Sequence, residues 1–206
     1  MSRREVVKAA LIFVPYGQED DELAILRNQQ CSQQYSNFIK LIGWNVKLDN
    51  HVGYVGGMDK TMSIDGCVTY YCNSSIEIIF HDLVRMPFDE SDLKQIKKVL
   101  FCLILKKRHI GNDSVHIVWN EHFKDYKNCI RGDFGNALIV ISPMTVNCNL
   151  YSIQIYKDDQ VKFFGPLLHG MILHESVLAS LVRATLINAN RCASLILSHK
   201  GQWRHP

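Results

Sequence analysis

The chain has 206 residues, with 23 Lys and Arg against 20 Asp and Glu, and a formal net charge of +3. Hydrophobic residues make up 47% and charged residues 21% of the sequence, so the chain can bury a core and lacks the polar bias of a disordered protein. The small net charge and the lack of an aromatic-interleaved RNA motif argue against nucleic-acid binding. The longest apolar run, Val99 to Leu105, is too short for a membrane span, which needs about 20 residues.

The cysteines indicate a reducing compartment. Seven cysteines form an odd set without C-x-x-C spacing, so neither a secreted disulfide framework nor a zinc ribbon is expected. Cys67, Cys72 and His81 match no standard zinc unit, and no H-E-x-x-H motif is present. We therefore predict reduced, mostly buried thiols, no metal site and a cytoplasmic protein.

The first elements are predicted as strand, loop and helix. Ala9 to Val14 is an apolar run that ends at Pro15 and is expected to be a buried strand. The acidic stretch Glu19 to Glu22 follows and is expected to lead into a helix.

A second helix is predicted to begin after Ser32, whose hydroxyl can cap it. Gly43 is expected to close this helix in the left-handed conformation. The residues that repeat at helical spacing are Tyr35, Phe38, Ile39 and Ile42.

A strand through Val46 and Leu48 is predicted next, followed by a glycine-rich turn at Gly53 to Gly57. The sequence GYVGGMDKT is not a phosphate loop, because that loop needs its lysine directly after a glycine and Lys60 is three residues from Gly57. We expect an ordinary turn here and no nucleotide bound by the chain itself.

The second half is predicted to contain mostly strands. A strand at Ile76 to Phe80 ends at His81, and the acidic cluster Asp89 to Asp92 opens a short helix that runs through Lys98. Three more strands, expected to be neighbours in a sheet, are predicted at Val115 to Trp119, at Leu138 to Ile141 with a stop at Pro143, and at Leu150 to Tyr156.

A long helix from about His174 and a loose basic tail complete the chain. Without repeats or a linker, the sequence predicts an α/β fold in a single domain, with a central mixed β-sheet flanked by helices. The domain is expected to span residues 9–197, and the tail residues 198–206.

The stretch KKRHIGNDSVHIVW, Lys106 to Trp119, has three consecutive cations and a histidine before Gly111, Asn112 and a strand. Asn112 and Asp113 could simply form a turn, with the cations on a solvated surface. Alternatively, the Asn112 carboxamide is exposed and has a function: it can donate and accept hydrogen bonds at once and so orient an attacking water.

The motif RHIGND closely resembles the signature of the Rap/Ran GTPase-activating domain family. IEIIFHDLVRMP upstream, and DDQVKFFGP and LINANRCA downstream, resemble other segments of that family in the same order. The N-terminal motifs GQEDDELAIL, SQQYSNFIKLIGWNVKL and NHVGYVGG are most similar to the branch of the family that acts on Ral. The resemblance covers about Ala9 to Leu195.

The resemblance implies a fold and a function. Asn112 matches the family's catalytic "asparagine thumb", which enters a GTP-loaded Ras-superfamily GTPase and positions water. Lys107, Arg108 and His109 are expected to bind the GTPase and, with Gly111 and Asp113, to hold the thumb segment. No cofactor is expected, because the GTPase binds GTP and Mg²⁺.

Ral is the expected substrate, with Rheb and Rap behind it, and a beta-type partner subunit is expected for a member of this branch. The alternative is a non-catalytic interaction subunit of the same fold, which need not keep the thumb.

One segment departs from the family pattern. In the family a helix such as FDESDLKQIKK runs almost directly into RHIGND, whereas here VLFCLILKK, Val99 to Lys107, intervenes. The nonapeptide is either a retained short intron in a gene model or a true insertion that lengthens the helix and buries Leu100, Leu103 and Ile104. It bears on how Asn112 is presented.

Overall fold

The computed structural model describes residues 4–18, 21–88, 96–122, 124–126, 130, 135–145 and 148–202. The four helices of this part of the chain are α1 (Glu22–Arg27), α2 (Gln33–Ile42), α3 (Ile96–Gly111) and α4 (Glu175–Gln202). Its strands are β1 (Glu5–Val14), β2 (Trp44–Lys47), β3 (Cys67–Cys72), β4 (Ile76–Asp82), β5 (Val115–Asn120), β6 (Ala137–Thr145), β7 (Cys148–Lys157) and β8 (Ile172–His174).

The strands form one mixed sheet in the order β2-β3-β4-β1-β5-β6-β7-β8. The four central strands, β4, β1, β5 and β6, are parallel, and an antiparallel pair extends the sheet at each edge. The predicted fold class, a mixed sheet flanked by helices, is confirmed, as is the prediction that β5, β6 and β7 are consecutive neighbours.

Helices cover both faces of the sheet. α2 and α4 pack on the face that contains Leu11 and Phe13, and α1 and α3 pack on the face that contains Ala10 and Ile12. Because both faces of β1 are buried, its sequence is apolar without strict alternation, as expected of a central parallel strand.

The helix after Ser32 begins where predicted but ends differently. The Ser32 hydroxyl accepts a hydrogen bond from the Tyr35 amide at 3.1 Å, as a helix N-cap does. Gly43, however, has φ −166° and is extended, because the chain continues directly into β2. A Cβ at Gly43 would lie 2.6 Å from the Tyr70 carbonyl oxygen. Glycine is therefore needed for close packing, and the predicted left-handed cap is wrong.

Two more predicted boundaries are wrong. β6 does not stop at Pro143 but continues to Thr145, with irregular pairing to β7 between these residues, where a proline is tolerated. The segment predicted as a loose tail begins as helix, since α4 extends to Gln202; residues 203–206 lie outside the described part. The five cysteines whose side chains the structure describes, Cys31, Cys67, Cys72, Cys102 and Cys192, are free, as predicted, but none of these five is buried.

The inserted nonapeptide is part of α3. Leu103 is buried as predicted, but Leu100 and Ile104 are 55% and 54% exposed, because only the helix face with Leu103, Lys106 and Ile110 contacts the sheet and α1. The acidic cluster Asp89 to Asp92 that was predicted to open this helix lies outside the described residues, and the helix continues past the predicted end at Lys98 to Gly111.

Deletion of residues 99–107 is expected to preserve or raise the thermal stability. The deletion removes exposed apolar side chains and brings Lys97 and Lys98 into register with Lys106 and Lys107. Lys97 can then form the contacts that Lys106 makes in the intact chain, and residues 108–113 keep theirs. Thermal unfolding of the two chains, followed by circular dichroism, tests this expectation.

A pair of substitutions checks the register. Lys106→Ala in the intact chain and Lys97→Ala in the deletion variant should lower the melting temperature by similar amounts. A deletion variant that melts well below the intact chain would contradict the prediction.

Candidate functional site

Asn112 lies directly after the last residue of α3 and three residues before β5. Its side chain is exposed and makes no hydrogen bond to the described residues, whereas both neighbouring elements are buried on one side. This position is at the amino end of β5. Asn112 therefore presents an exposed carboxamide at the junction of a helix and a strand.

The next residue, Asp113, is fully buried and anchors this junction. Its Oδ2 lies 2.8 Å from Nδ1 of His81 on β4, and its Oδ1 lies 3.5 Å from the Lys8 ammonium on β1. Its amide donates to the Ile110 carbonyl at 3.0 Å, which closes the end of α3. Burying a carboxylate is unfavourable unless it is paired, so these contacts fix where the chain leaves the helix.

The strand register explains how these groups meet. Ala10 of β1 is paired with His81 of β4 on one side and with His116 of β5 on the other. Ala10 is small, and α3 ends over this row of three residues. The His116 Nε2–H donates to the Ile110 carbonyl at 3.0 Å, and burial lowers the pKa of His116, which favours the neutral ring.

His109 lies on the last turn of α3, beside this anchor. Its ring is half-buried and contacts His81 edge-on, with 5.5 Å between the ring centroids. Burial lowers the pKa of His109, and the proximity of His81 lowers it further. At neutral pH the His109 ring is therefore mainly uncharged and can donate or accept a hydrogen bond near Asn112.

The glycine-rich turn covers the anchor from the other side. Gly56 has φ +59°, and a Cβ there would lie 2.5 Å from Cγ2 of Ile79 and 3.1 Å from Nε2 of His81. The Tyr54 amide donates to Oε2 of Glu77 at 2.8 Å and holds the turn against β4. The turn therefore packs closely on the His81 ring. The sequence analysis predicted a turn from the glycines but not this contact.

The three consecutive cations do not lie together on one solvated surface, which was the simpler of the two explanations of this sequence. Lys106 is buried and donates to the carbonyls of Leu26 at 2.9 Å and Leu83 at 3.1 Å. Burial lowers its pKa to about 8. Lys107 is exposed and pairs with Glu22 of α1 at 2.9 Å. Only Arg108 is both exposed and without an ion pair to the described residues.

Gly111 is the last residue of α3 and does not have a positive φ, so its backbone does not require glycine. All the sequence-predicted site residues, 107–109 and 111–113, therefore lie on one helix end and the turn after it. Lys8 and His81 complete this cluster, and the motif alone gave no signal for either.

Within the described ranges no group of three or more His, Cys, Asp or Glu residues could hold a metal ion. Likewise, none of the helices described is long and apolar enough to cross a membrane.

A cavity of about 460 Å³ lies beside α2, on the opposite face of the sheet. Asp82, at the end of β4, forms part of its wall, and its Oδ1 accepts hydrogen bonds from the Tyr35 hydroxyl at 2.8 Å and the Val84 amide at 3.1 Å. Burial raises the pKa of Asp82 to about 6, and the two hydrogen bonds oppose this rise. Nothing in the motif region predicted this cavity.

Comparisons with known proteins agree with the motif. A family model described as Rap/ran-GAP matches residues 25–206. Human Ral GTPase-activating protein subunit alpha-1 is 44% identical over 195 residues, which cover 94% of this chain and 9% of that protein. Mouse GTPase-activating Rap/Ran-GAP domain-like protein 3 is 30% identical over 171 residues, which cover 78% of this chain and 15% of that protein.

A solved structure of the TSC2 GAP domain is also similar. It matches with a TM-score of 0.79 at 25% identity and covers 94% of this chain and 100% of that chain. The chain thus corresponds to the whole of that domain but to only a small part, 9% to 15%, of the curated relatives named above.

Asp113→Asn is expected to lower the free energy of unfolding by about 3 kcal/mol, because it removes the anion from a buried charge cluster and leaves Lys8 without its counter-ion. Urea unfolding measures the change. Asp49→Asn is the matched control, since its pair with Lys60, at 3.8 Å, is exposed and should contribute less than about 1 kcal/mol. Equal, small effects of both substitutions would contradict the anchoring role of Asp113.

Asp82→Asn is expected to change how stability depends on pH. The pKa of Asp82 is about 6 in the folded state and about 4 when unfolded, so the folded state binds the proton more tightly. Stability contributed by Asp82 is therefore present below about pH 4 and is lost as the pH rises to 6, by about 3 kcal/mol. The difference in unfolding free energy between wild type and Asp82→Asn should fall by this amount from pH 4 to 7; a constant difference would contradict it.

Proposed function

Because the chain belongs to the Rap/ran-GAP family, we propose that it stimulates GTP hydrolysis by a Ras-superfamily small GTPase, with Asn112 as the asparagine thumb. The observation that carries this proposal is the contrast between adjacent residues. Asn112 is exposed and makes no hydrogen bond to the described residues, and Asp113 beside it is completely buried and paired. A side chain that can donate and accept hydrogen bonds is thus held in the solvent by a fixed backbone.

Asn112 acts on the water that attacks the γ-phosphate. The carboxamide oxygen can accept a hydrogen bond from this water while the amide group donates to a phosphate oxygen or to the GTPase. In phosphoryl transfer, a positioned group and charge stabilisation supply most of the catalysis, so one oriented side chain has a large effect. GTP and Mg²⁺ remain bound to the GTPase, and this chain needs no cofactor and no independent active site.

The anchor beneath Asn112 supports this role, because a displacement of about 1 Å at a catalytic group can reduce the rate about 100-fold. Asp113 ties the thumb to β4 through His81 and to β1 through Lys8. Asp113, His81 and Lys8 are positioning residues, since they act through the backbone at Asn112. Gly111 provides a helix end without a side chain next to the thumb.

The remaining motif residues are assigned to the docking surface. Arg108 is exposed and unpaired in the described part of the chain, so it can contact an anionic surface of the GTPase. Lys107 can do so only by exchanging its pair with Glu22. His109 borders the thumb and can form a hydrogen bond to the bound GTPase.

Ral is the proposed substrate, because the chain is 44% identical to Ral GTPase-activating protein subunit alpha-1 over 94% of its length. Rheb and Rap are the next candidates. We also assign the protein to the cytoplasm and expect a beta-type partner subunit, as for the branch of the family that acts on Ral.

Asn112→Ala is expected to reduce the stimulated rate about 10³- to 10⁵-fold, which is the contribution of a catalytic group supplied in trans to a GTPase. Single-turnover GTP hydrolysis by Ral, Rap and Rheb, each mixed with wild type or variant, measures this effect. The fold should be unaffected, because the side chain is exposed and makes no hydrogen bond to the described residues.

Asn149→Ala is the matched control. Asn149 is also exposed but lies near the start of β7, beside the carboxyl end of β6, whereas Asn112 lies at the amino end of β5. Asn149→Ala should stimulate GTP hydrolysis as strongly as wild type does. Full activation by Asn112→Ala would remove Asn112 from the mechanism. A folded wild-type chain that activates none of the three GTPases would instead favour a non-catalytic interaction subunit.

A further inference from the structure

An apolar groove runs along α3 towards the thumb. It has a volume of about 260 Å³, and three segments form its walls: α3, the short 3₁₀ helix Lys60–Met62, and the turn after β4. Six residues that define it are Met62, Met86, Pro87, Phe101, Leu105 and His109.

The helix side of the groove has regular spacing. Phe101, Leu105 and His109 are four residues apart, so they line one face of α3. Met62 and Met86 form the opposite side, and methionine side chains adapt readily to the shape of a bound group. The groove is therefore preformed by backbone segments but has an adjustable lining.

The surface around the groove is unusually apolar. Phe101 is 59% exposed, and Leu100 and Ile104 beside it are more than half exposed. Clustered exposed apolar side chains of this kind mark interaction surfaces on soluble proteins. All three residues belong to the nonapeptide that departs from the family pattern.

The groove and the thumb lie within one contact area. His109 lines the groove and is three residues from Asn112, and Phe101 is eleven residues from it, or about 16 Å along a helix. A standard interface covers about 800 Å² on each partner, which is a disc of about 16 Å radius. An interface of this size centred on Asn112 therefore extends about as far as Phe101.

We propose that this groove binds an apolar side chain of the GTPase that Asn112 enters, and that it selects among small GTPases. The inference rests on the proposed function and adds the partner's chemistry: an apolar residue that projects from an acidic surface. Arg108 favours such an acidic surface, because it is exposed and lies seven residues after Phe101, on the same face of α3. The groove acts on docking, whereas Asn112 acts on the reaction itself.

The test separates KM from kcat. Phe101→Ser and, as a second groove variant, Met62→Ser should raise KM for the GTPase about tenfold, the effect of losing an interface hot spot, and change kcat less than twofold. Phe163→Ser is the matched control, since Phe163 is 73% exposed and its backbone contacts Cys192 of α4, which packs on the other face of the sheet. It should leave both constants unchanged.

Direct binding keeps this proposal distinct from that for Asn112. Binding to Ral, Rap and Rheb loaded with a non-hydrolysable GTP analogue is measured by fluorescence anisotropy. Asn112→Ala should bind as wild type does, and Phe101→Ser should bind about tenfold more weakly. If wild type binds without accelerating hydrolysis and Phe101→Ser still weakens binding, the groove is supported and the thumb is not.

Three results would overturn the groove proposal. The first is an unchanged KM and dissociation constant for both groove variants. The second is a change of oligomeric state in Phe101→Ser on size-exclusion chromatography with unchanged GTPase binding, which would identify a second copy as the occupant. The third is a wild-type chain that binds none of the three loaded GTPases.

Discussion

The buried carboxylate of Asp113 is the contact on which the geometry of the candidate site depends. It joins the end of α3 to β4 through His81 and to β1 through Lys8, and it does so next to the start of β5. An unpaired carboxylate in this position would be strongly unfavourable, so the three partners can adopt few other arrangements. The direction of the chain at Asn112 follows from this electrostatic requirement more than from the helix itself.

Local patterns predicted most of the fold because they reflect burial. The alternating strand at Val115 to Trp119, the capped helix after Ser32 and the last long helix were all recognisable from the spacing of apolar residues. The errors concern residues whose environment is set from outside their own element. Gly43 packs against the Tyr70 carbonyl of another strand, and Pro143 lies at an irregular strand pairing. Neither feature has a local sequence signal.

The candidate site was predictable only in part, and for the same reason. The motif identified Asn112 and its neighbours, but the residues that hold them lie far away in sequence: His81 is 32 positions before Asp113, and Lys8 is on the first strand. Lys106 shows the limit of charge patterns, since one cation of an apparent basic cluster is buried and bound to carbonyl groups. Tertiary contacts, and not composition, decide which charges of the motif face solvent.

Because α3 is fixed at its carboxyl end, its amino end is free to change. Residues added upstream of Leu103 lengthen the helix away from the anchor and leave the Asp113 contacts as they are. A related chain can therefore gain or lose helical turns by small insertions during evolution without disturbing the reactive end. Changes in the length of α3 thus alter the surface that contacts a partner and leave the geometry at Asn112 unchanged. Proteins of this fold can acquire new partners by such steps.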